Sequence, residues 1–361
     1  MVINMKLCYI STKSIHTKKW VEYFSGKGHE VHLITPEYDN YRGVNMHLVN
    51  PNVSRLSPLF KAIIIRNLVK KIKPDVLHAH QIVPFGLYGA LSGFHPFIIS
   101  PWGSDLVTFP EKSKMHKFLV KYVLRKADLV QCVDEYLAIR VKSLIGERSN
   151  IRTIKWGINP DLFRPNEDEK DDITRVLYLR KSQEPYEVET LLYAIPAVIK
   201  VHENMEFLIL KSGSDLNKTL DIVKKLRVGK HIKFIDEVPN DTMPTLMNSC
   251  NIYVDTIYRE IPGSGIGMTA LEAMSCGLPL VLSNTTGIEL YVKNEVNGLI
   301  YKGGDSDSLS KAIIRLVENE RLRNKLGRNA RQYVLKNQDW DKNMKLMEHF
   351  YEKLTNVGAK A

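Results

Sequence analysis

The chain reads as an α/β protein of two doubly wound, Rossmann-like domains, each a parallel sheet with helices on both faces, facing a central cleft. Three observations carry this expectation. At 361 residues the chain is longer than one hydrophobic core sustains. Short apolar runs alternate with helix-length segments, the pattern of βαβ units. That alternation halts at Asn166–Asp172, a charged stretch without periodicity after Pro165, and then restarts. The expected divisions are a first domain over 1–165, a second over 173–335, and a C-terminal helix within 336–361 that packs back towards the first domain.

In the first half the apolar runs Lys6–Ile10, Val31–Thr35, Val76–His78, Phe97–Ser100, Leu129–Cys132 and Ile151–Ile154 read as strands. Between them, Thr17–Lys27, a basic segment near 59–72, a stretch from about Phe85 and the segment between the last two strands read as helices. The second half repeats the scheme. Its strands are Arg175–Leu179, Glu206–Leu210, Ile232–Ile235, Asn251–Val254, Leu278–Leu282 and Gly298–Tyr301, its first helices lie over 187–201 and near 215–226, and helices fill much of the end.

Apolar content of 44% and charged content of 25% are ordinary for a globular protein, and no run approaches a membrane span. The N-terminus reads as a first strand rather than a signal peptide. Four scattered cysteines without a CxxC pair suit buried, reduced thiols in a cytoplasmic protein. Charge is uneven. Residues 1–165 hold 24 Lys and Arg against 12 Asp and Glu, so the overall net charge of +11 resides in this half. Arg55–Lys73 and Lys112–Lys126 carry six basic residues each, and Lys114, Lys117, Lys121 and Arg125 share a helical stripe beside Phe118 and Tyr122. Two such stripes favour an anionic membrane surface or substrate over simple solvation. Nucleic acid is disfavoured, since no recognition-helix, zinc or RNA-binding signature accompanies the charge.

The stretch Pro262–Pro279 bears most on function. It reads as a glycine-rich turn opening a helix and leading into a buried strand. Glycines at 263, 265 and 267 allow close backbone approach. The first helical amides, near Met268–Glu272, then form an anion site at the positive end of the helix dipole. Gly265, Ile266, Gly267, Met268 and Thr269 would line it. Glu272 is the only acid between Glu260 and Glu289, and a carboxylate one turn in suits a ribose diol. A tight helix start with a half-exposed glutamate is the plainer alternative; a sugar nucleotide is the favoured ligand.

The order of motifs resembles the GT-B glycosyltransferases, and within them the retaining glycosyltransferase family 4 (glycosyl transferases group 1). The pieces are Gly28–His32, Pro74–His80 (PDVLHAH), Trp102–Asp105 (WGSD), Trp156–Pro165, Thr190–Ala194, Leu271–Pro279 and Asn297–Leu299. The resemblance implies a nucleotide-diphosphate sugar on the second domain, an acceptor on the first, no metal and no further cofactor. Asp305-Ser-Asp307, a DxD that precedes a helix, reads instead as a helix N-cap. The family's phosphate-binding Arg and Lys map onto Leu177–Tyr186, where Arg180 and Lys181 are the expected clamp and Tyr186 takes the lysine's place. The family's two-glutamate motif keeps its second member as Glu272 and has Ser264 at the first; Glu260 is a candidate substitute. Trp102 stands where the family has a histidine, either stacking on a sugar or packing in the core. A loop containing Ser14 and His16 replaces the usual glycine-rich one. These changes resemble a bacterial and archaeal branch of the family.

Retention in the family needs no protein nucleophile. The donor bond loosens towards an oxocarbenium ion, and the acceptor hydroxyl attacks from the same face. The catalytic set expected here is Arg180, Lys181, Ser264 and His80, with Ser14, His16, Trp102 and Asp105 on the acceptor side; Asp105 either orients a hydroxyl or caps a helix. The expected function is transfer of a sugar from a UDP- or GDP-sugar to a saccharide or lipid-linked acceptor in glycan or cell-envelope synthesis, at the inner membrane face. The alternatives are a silent nucleotide-sugar-binding subunit, which Ser264 and Tyr186 favour, or a GT-B epimerase. A dehydrogenase is disfavoured, because no G-x-G-x-x-G follows the first strand.

Overall fold

A computed structural model of the chain describes residues 4–49, 58–166, 173–257 and 266–358. Its residue contacts divide it into two units: the chain up to Lys155 together with the segment from Asn343 onward, and Trp156–Lys342.

The first unit holds β1 (Lys6–Ile10), β2 (Glu30–Thr35), β3 (Val44–Leu48), β4 (Val76–His80), β5 (Phe97–Ser100), β6 (Leu129–Cys132) and β7 (Ile151–Thr153). They form one parallel sheet in the order β3-β2-β1-β4-β5-β6-β7. Strands β4, β5 and β6 are buried at every position, as inner strands of a parallel sheet covered on both faces are. The order reverses between β1 and β4, so the loops after Ile10 and His80 flank the crevice where such sheets bind ligands. Strand β3 is absent from the sequence expectation. Its residues VNMHL are half-exposed at the sheet edge, so pairing with β2, not an apolar run, makes them a strand.

The basic segments form the helices Pro58–Ile72 and Lys114–Lys126, and the short helix Leu87–Ser92 packs against both. Each turns Ile65 or Val123 inward and leaves large apolar groups outside: Phe60 is 53% exposed, Ile63 51%, Met115 64% and Phe118 63%. On the other face, Tyr351 from the C-terminal helix Trp340–Gly358 is fully buried and hydrogen-bonds the Tyr9 hydroxyl at 3.0 Å.

The second unit holds β8 (Thr174–Tyr178), β9 (Met205–Leu210), β10 (Ile232–Ile235), β11 (Ile252–Asp255), β12 (Leu280–Ser283) and β13 (Leu299–Tyr301), all parallel in the order β10-β9-β8-β11-β12-β13. Alternate side chains of β8 feed two cores. Val176 and Tyr178 join Leu191 and Phe207, while Leu177 and Leu179 join Leu271 and Met274. The segment 156–165 packs here rather than with the first unit, to which the expected boundary at 165 assigned it. Ile158 N–H donates to the Gln338 carbonyl at 2.6 Å and Phe163 is buried among second-unit side chains. The expected linker lies, from Glu167 to Asp172, outside the described residues. Asp305 caps the helix Ser306–Glu318 by accepting from Ser308 N–H at 2.9 Å, which accounts for the DxD.

Candidate functional site

In the second unit the strand order reverses between β8 and β11. Two residues past β8 stands Arg180, and the last residue of β11 is Asp255. Topology thus puts a cation and an acid side by side at a ligand-binding edge. Arg180 Nε donates to both Asp255 carboxylate oxygens at 2.9 Å, and Nη2 donates to Oδ2 at 2.5 Å. Burial works against the guanidinium's charge, but Asp255 outweighs it and its pKa is raised. The Tyr186 ring covers the guanidinium, with centroid 4.8 Å from Cζ.

The guanidinium lies against Gly267, the N-cap of the helix Met268–Ser275. A Cβ on Gly267 would sit 2.1 Å from Nη2, so only glycine admits this approach. The Gly267 carbonyl accepts from Ala270 and Leu271, and among the described residues no side chain caps the helix. Tyr253 on β11 pairs with Thr269 in the first helical turn at 3.0 Å, tying this helix end to the sheet. An anion here would meet main-chain amides, a dipole and an arginine fork together.

The other expected donor residues divide. Glu272 is buried at 4% exposure, not half-exposed, and its Oε1 accepts from Asn240 Nδ2 at 3.2 Å. Ile266, Met268 and Thr269 are half-buried at the helix mouth. Lys181 does not join Arg180; it is half-exposed and pairs with the exposed Glu237 at 3.0 Å. Glu260, Ser264 and Gly265 lie outside the described residues. Tyr186 also borders a cavity of about 430 Å³, but Glu184, Glu187, Glu189 and Asp215 outnumber Lys218 in its lining and make it unsuited to an anion.

Expectation missed Asp255, Tyr253 and Asn240. For Asp255 the available signal was an acid closing an otherwise apolar buried strand, a position where a carboxylate needs a partner.

In the first unit, Ser11, His16, His80 and Trp102 gather at the β1/β4 crevice. The network assigns the histidine tautomers. Thr17 donates its hydroxyl to the Thr12 carbonyl at 2.8 Å, so Ser11 donates to Thr17 Oγ1 at 2.8 Å. Ser11 Oγ therefore accepts from His80 Nδ1 at 3.3 Å, and His80 Nε2 is left a bare acceptor. It is buried and has no hydrogen-bond partner among the described residues. Burial, then the His16 charge, lowers the His80 pKa to about 3, so the ring is neutral. Trp102 tilts against His80 with centroids 5.7 Å apart and meets His16 edge-on at 5.7 Å. Burial, then Lys19, lowers the His16 pKa to about 4.

His78 is satisfied at both nitrogens. Ser100 donates to Gln131 Oε1, so it accepts from His78 Nε2 at 2.7 Å, and His78 Nδ1 accepts from Tyr351 at 2.7 Å. Ser14 caps the helix Ile15–Gly26 through Thr17 N–H at 3.0 Å. Asp105 is not an N-cap. It lies inside the short helix Ser104–Val107 and accepts from the amides of Ile82 at 2.7 Å, Trp102 at 2.9 Å and Gly103 at 3.0 Å. Burial raises its pKa against the pull of those bonds, and its job is to hold the Trp102 loop on the segment after β4.

Two parallel-sheet domains, each with a crevice at its strand switch point, define the GT-B class. A family model described as glycosyl transferase 4-like matches residues 6–134, and one described as glycosyl transferases group 1 matches residues 160–333. The chain belongs to this glycosyltransferase family, whose members of family 4 it accords with, and it is a transferase. It is 25% identical over 358 residues to a glycosyltransferase of Methanocaldococcus jannaschii, covering 96% of both chains. It is 22% identical over 338 residues to the N-acetyl-alpha-D-glucosaminyl L-malate synthase of Bacillus anthracis, covering 85% of each. Among solved structures, Anabaena HepE in complex with UDP-glucose superposes with a TM-score of 0.81 at 15% identity, over 97% of this chain and 100% of that one. Sucrose-phosphate synthase from Thermosynechococcus elongatus superposes at 0.79 and 18% identity, over 98% and 100%. Both share the fold.

Proposed function

We propose that the protein transfers a hexosyl group, with retention, from a UDP- or GDP-sugar to a hydroxyl of a saccharide or lipid-linked acceptor, without a metal ion. One observation carries this reading: Arg180 is held by Asp255 against the glycine-capped mouth of the Met268–Ser275 helix. Amides and a fixed guanidinium supply the counter-charge that a departing diphosphate requires. HepE is solved in complex with UDP-glucose, which agrees with a nucleotide sugar in this fold.

In this reading Gly267, Met268 and Thr269 hold the diphosphate and Glu272 the ribose. Glu272→Ala weakens nucleotide binding by about 1–3 kcal/mol, the value of lost charge-assisted bonds. Calorimetric titration with UDP and GDP measures it, and an unchanged affinity would count against the ribose role. His80 Nε2, a buried bare acceptor beside Trp102, receives a hydroxyl hydrogen of the acceptor sugar. Incubation with a panel of UDP- and GDP-sugars tests the activity itself through slow release of nucleoside diphosphate.

The acceptor side favours a lipid-linked substrate at the inner membrane face. The helices Pro58–Ile72 and Lys114–Lys126 contain no acid and expose Phe60, Ile63, Met115 and Phe118 among their lysines and arginines. Beside the first lies a small apolar pocket of about 100 Å³ lined by Ile10, Ile34, Ile65, Phe85 and Tyr88, with Lys61 at its wall. Among the described residues no helix is long and apolar enough to cross a membrane. Sedimentation with anionic vesicles is expected at about 0.05 M salt and is lost by about 0.5 M, where the Debye length falls below roughly 5 Å. Absence of binding at either salt would point to a water-soluble acceptor.

A silent nucleotide-sugar-binding subunit is the second reading. Tyr186 in place of a lysine and Lys181 drawn to Glu237 favour it, since among the described residues these changes leave Arg180 as the cation beside the helix mouth. Nucleotide binding without turnover of any donor would establish it.

A further inference from the structure

We propose that Asp255 is a positioning residue that fixes the Arg180 fork at the helix mouth and cancels its long-range charge. The protein thereby trades affinity for nucleoside diphosphate against orientation of the guanidinium. This rests on the reading of Arg180 as the diphosphate contact.

The side chain of Asp255 is 6% exposed and that of Arg180 14%, so water screens the pair poorly. Both carboxylate oxygens are occupied by the guanidinium, and the grip includes Nε as well as Nη2. That two-point hold fixes the plane of the fork as well as its position. Tyr186 covers the face at 4.8 Å, and the Gly267 backbone lies against Nη2. An arginine held on edge and face loses little freedom when an anion arrives. An Arg–Asp pair is also neutral at a distance, so it draws a diphosphate less strongly than a lone arginine. A carboxylate kept merely to support the fold would not need to grip the arginine that borders the anion site.

The test compares Asp255→Asn, Asp255→Glu and Arg180→Gln by calorimetric titration with UDP and GDP and by steady-state donor hydrolysis. Asp255→Asn keeps the shape and removes the charge. Its dissociation constant is expected to fall about 3- to 10-fold at low salt, with a steeper salt dependence, while kcat drops at least about 10-fold. Asp255→Glu keeps the charge and holds the dissociation constant within about 2-fold of the wild type. Arg180→Gln weakens nucleotide binding. If Asp255→Asn weakens binding in step with Arg180→Gln, or leaves both binding and kcat unchanged, the proposal is overturned while the nucleotide reading stands. If Arg180→Gln has no effect on nucleotide affinity, that reading falls and the proposal with it.

Should Asp255→Asn not fold, NMR of the wild-type protein decides. The Arg180 Nε–H signal, assigned by its loss in Arg180→Lys, is expected to be resolved and slowly exchanging before and after saturation with UDP. A signal that appears only with UDP overturns the proposal.

Discussion

Gly267→Ala is expected to lower donor turnover by about 100- to 1000-fold in a protein that still folds, the scale of losing one oxyanion-type contact. The backbone does not resist the change, since Gly267 has φ −72° and ψ 153°, open to any residue. The obstacle is the added methyl group, which meets Arg180 Nη2 at 2.1 Å and Cζ at 2.6 Å. Arginine is long and flexible, so the fork swings aside instead of the helix moving. That swing breaks the hold of Asp255 and takes the cation away from the helix mouth. The cost falls on the site, with a smaller loss of stability from the weaker N-cap and the disturbed pair. Donor hydrolysis followed by nucleoside diphosphate release, beside a thermal melt, separates the two effects. Wild-type turnover in Gly267→Ala would remove Arg180 from the reacting phosphates.

The second large effect is on stability in acid. His78 and His80 are buried on β4 among Tyr9, Trp20, Trp102 and Tyr351, with His16 at the margin. Burial lowers the His78 pKa well below 6.5 and that of His80 to about 3. An unfolded chain protonates both near pH 6.5, while the folded chain leaves both neutral. The unfolded state therefore binds more protons as the pH falls. Their contribution is complete above about pH 6.5 and is lost progressively below it. Two such groups give a limiting slope of about 2.7 kcal/mol per pH unit, reached towards pH 5. Urea denaturation at pH 7, 6 and 5 measures this before most carboxylates titrate. His80→Gln is expected to lower this pair's share of the slope by about half, with His16, whose pKa burial also lowers to about 4, adding a third group of the same sign to the measured total. A stability that is flat from pH 7 to 5 would contradict the burial of this pair.

The site was partly legible in the sequence because its components are local. A glycine before a helix and a glutamate one turn in each occupy one short window, and Gly267 and Glu272 are legible in those windows, whereas Arg180 comes from the family resemblance. Lys181 is expected beside Arg180 because the resemblance aligns it near the family's phosphate-binding arginine. Successive side chains leaving a strand end diverge, however, and the structure turns Arg180 to Asp255 and Lys181 to Glu237. Asp105 shows the same limit. Its spacing suggested a cap or an acceptor contact, yet it binds three amides, one of them 23 residues away at Ile82.

The sequence by itself determined the two repeated α/β halves, the glycine-opened helix and the one-sided positive charge. All three follow from periodicity and composition along the chain, which need no knowledge of distant partners. Only the tertiary structure decided that β3 is a strand, that residues 156–165 pack with the second unit, that His80 rather than His78 keeps a bare nitrogen, and that Asp255 holds Arg180. Each of these depends on a hydrogen bond or a contact with a residue remote in sequence. Whether such a partner is present is settled by strand order and packing, not by the residue's own neighbours.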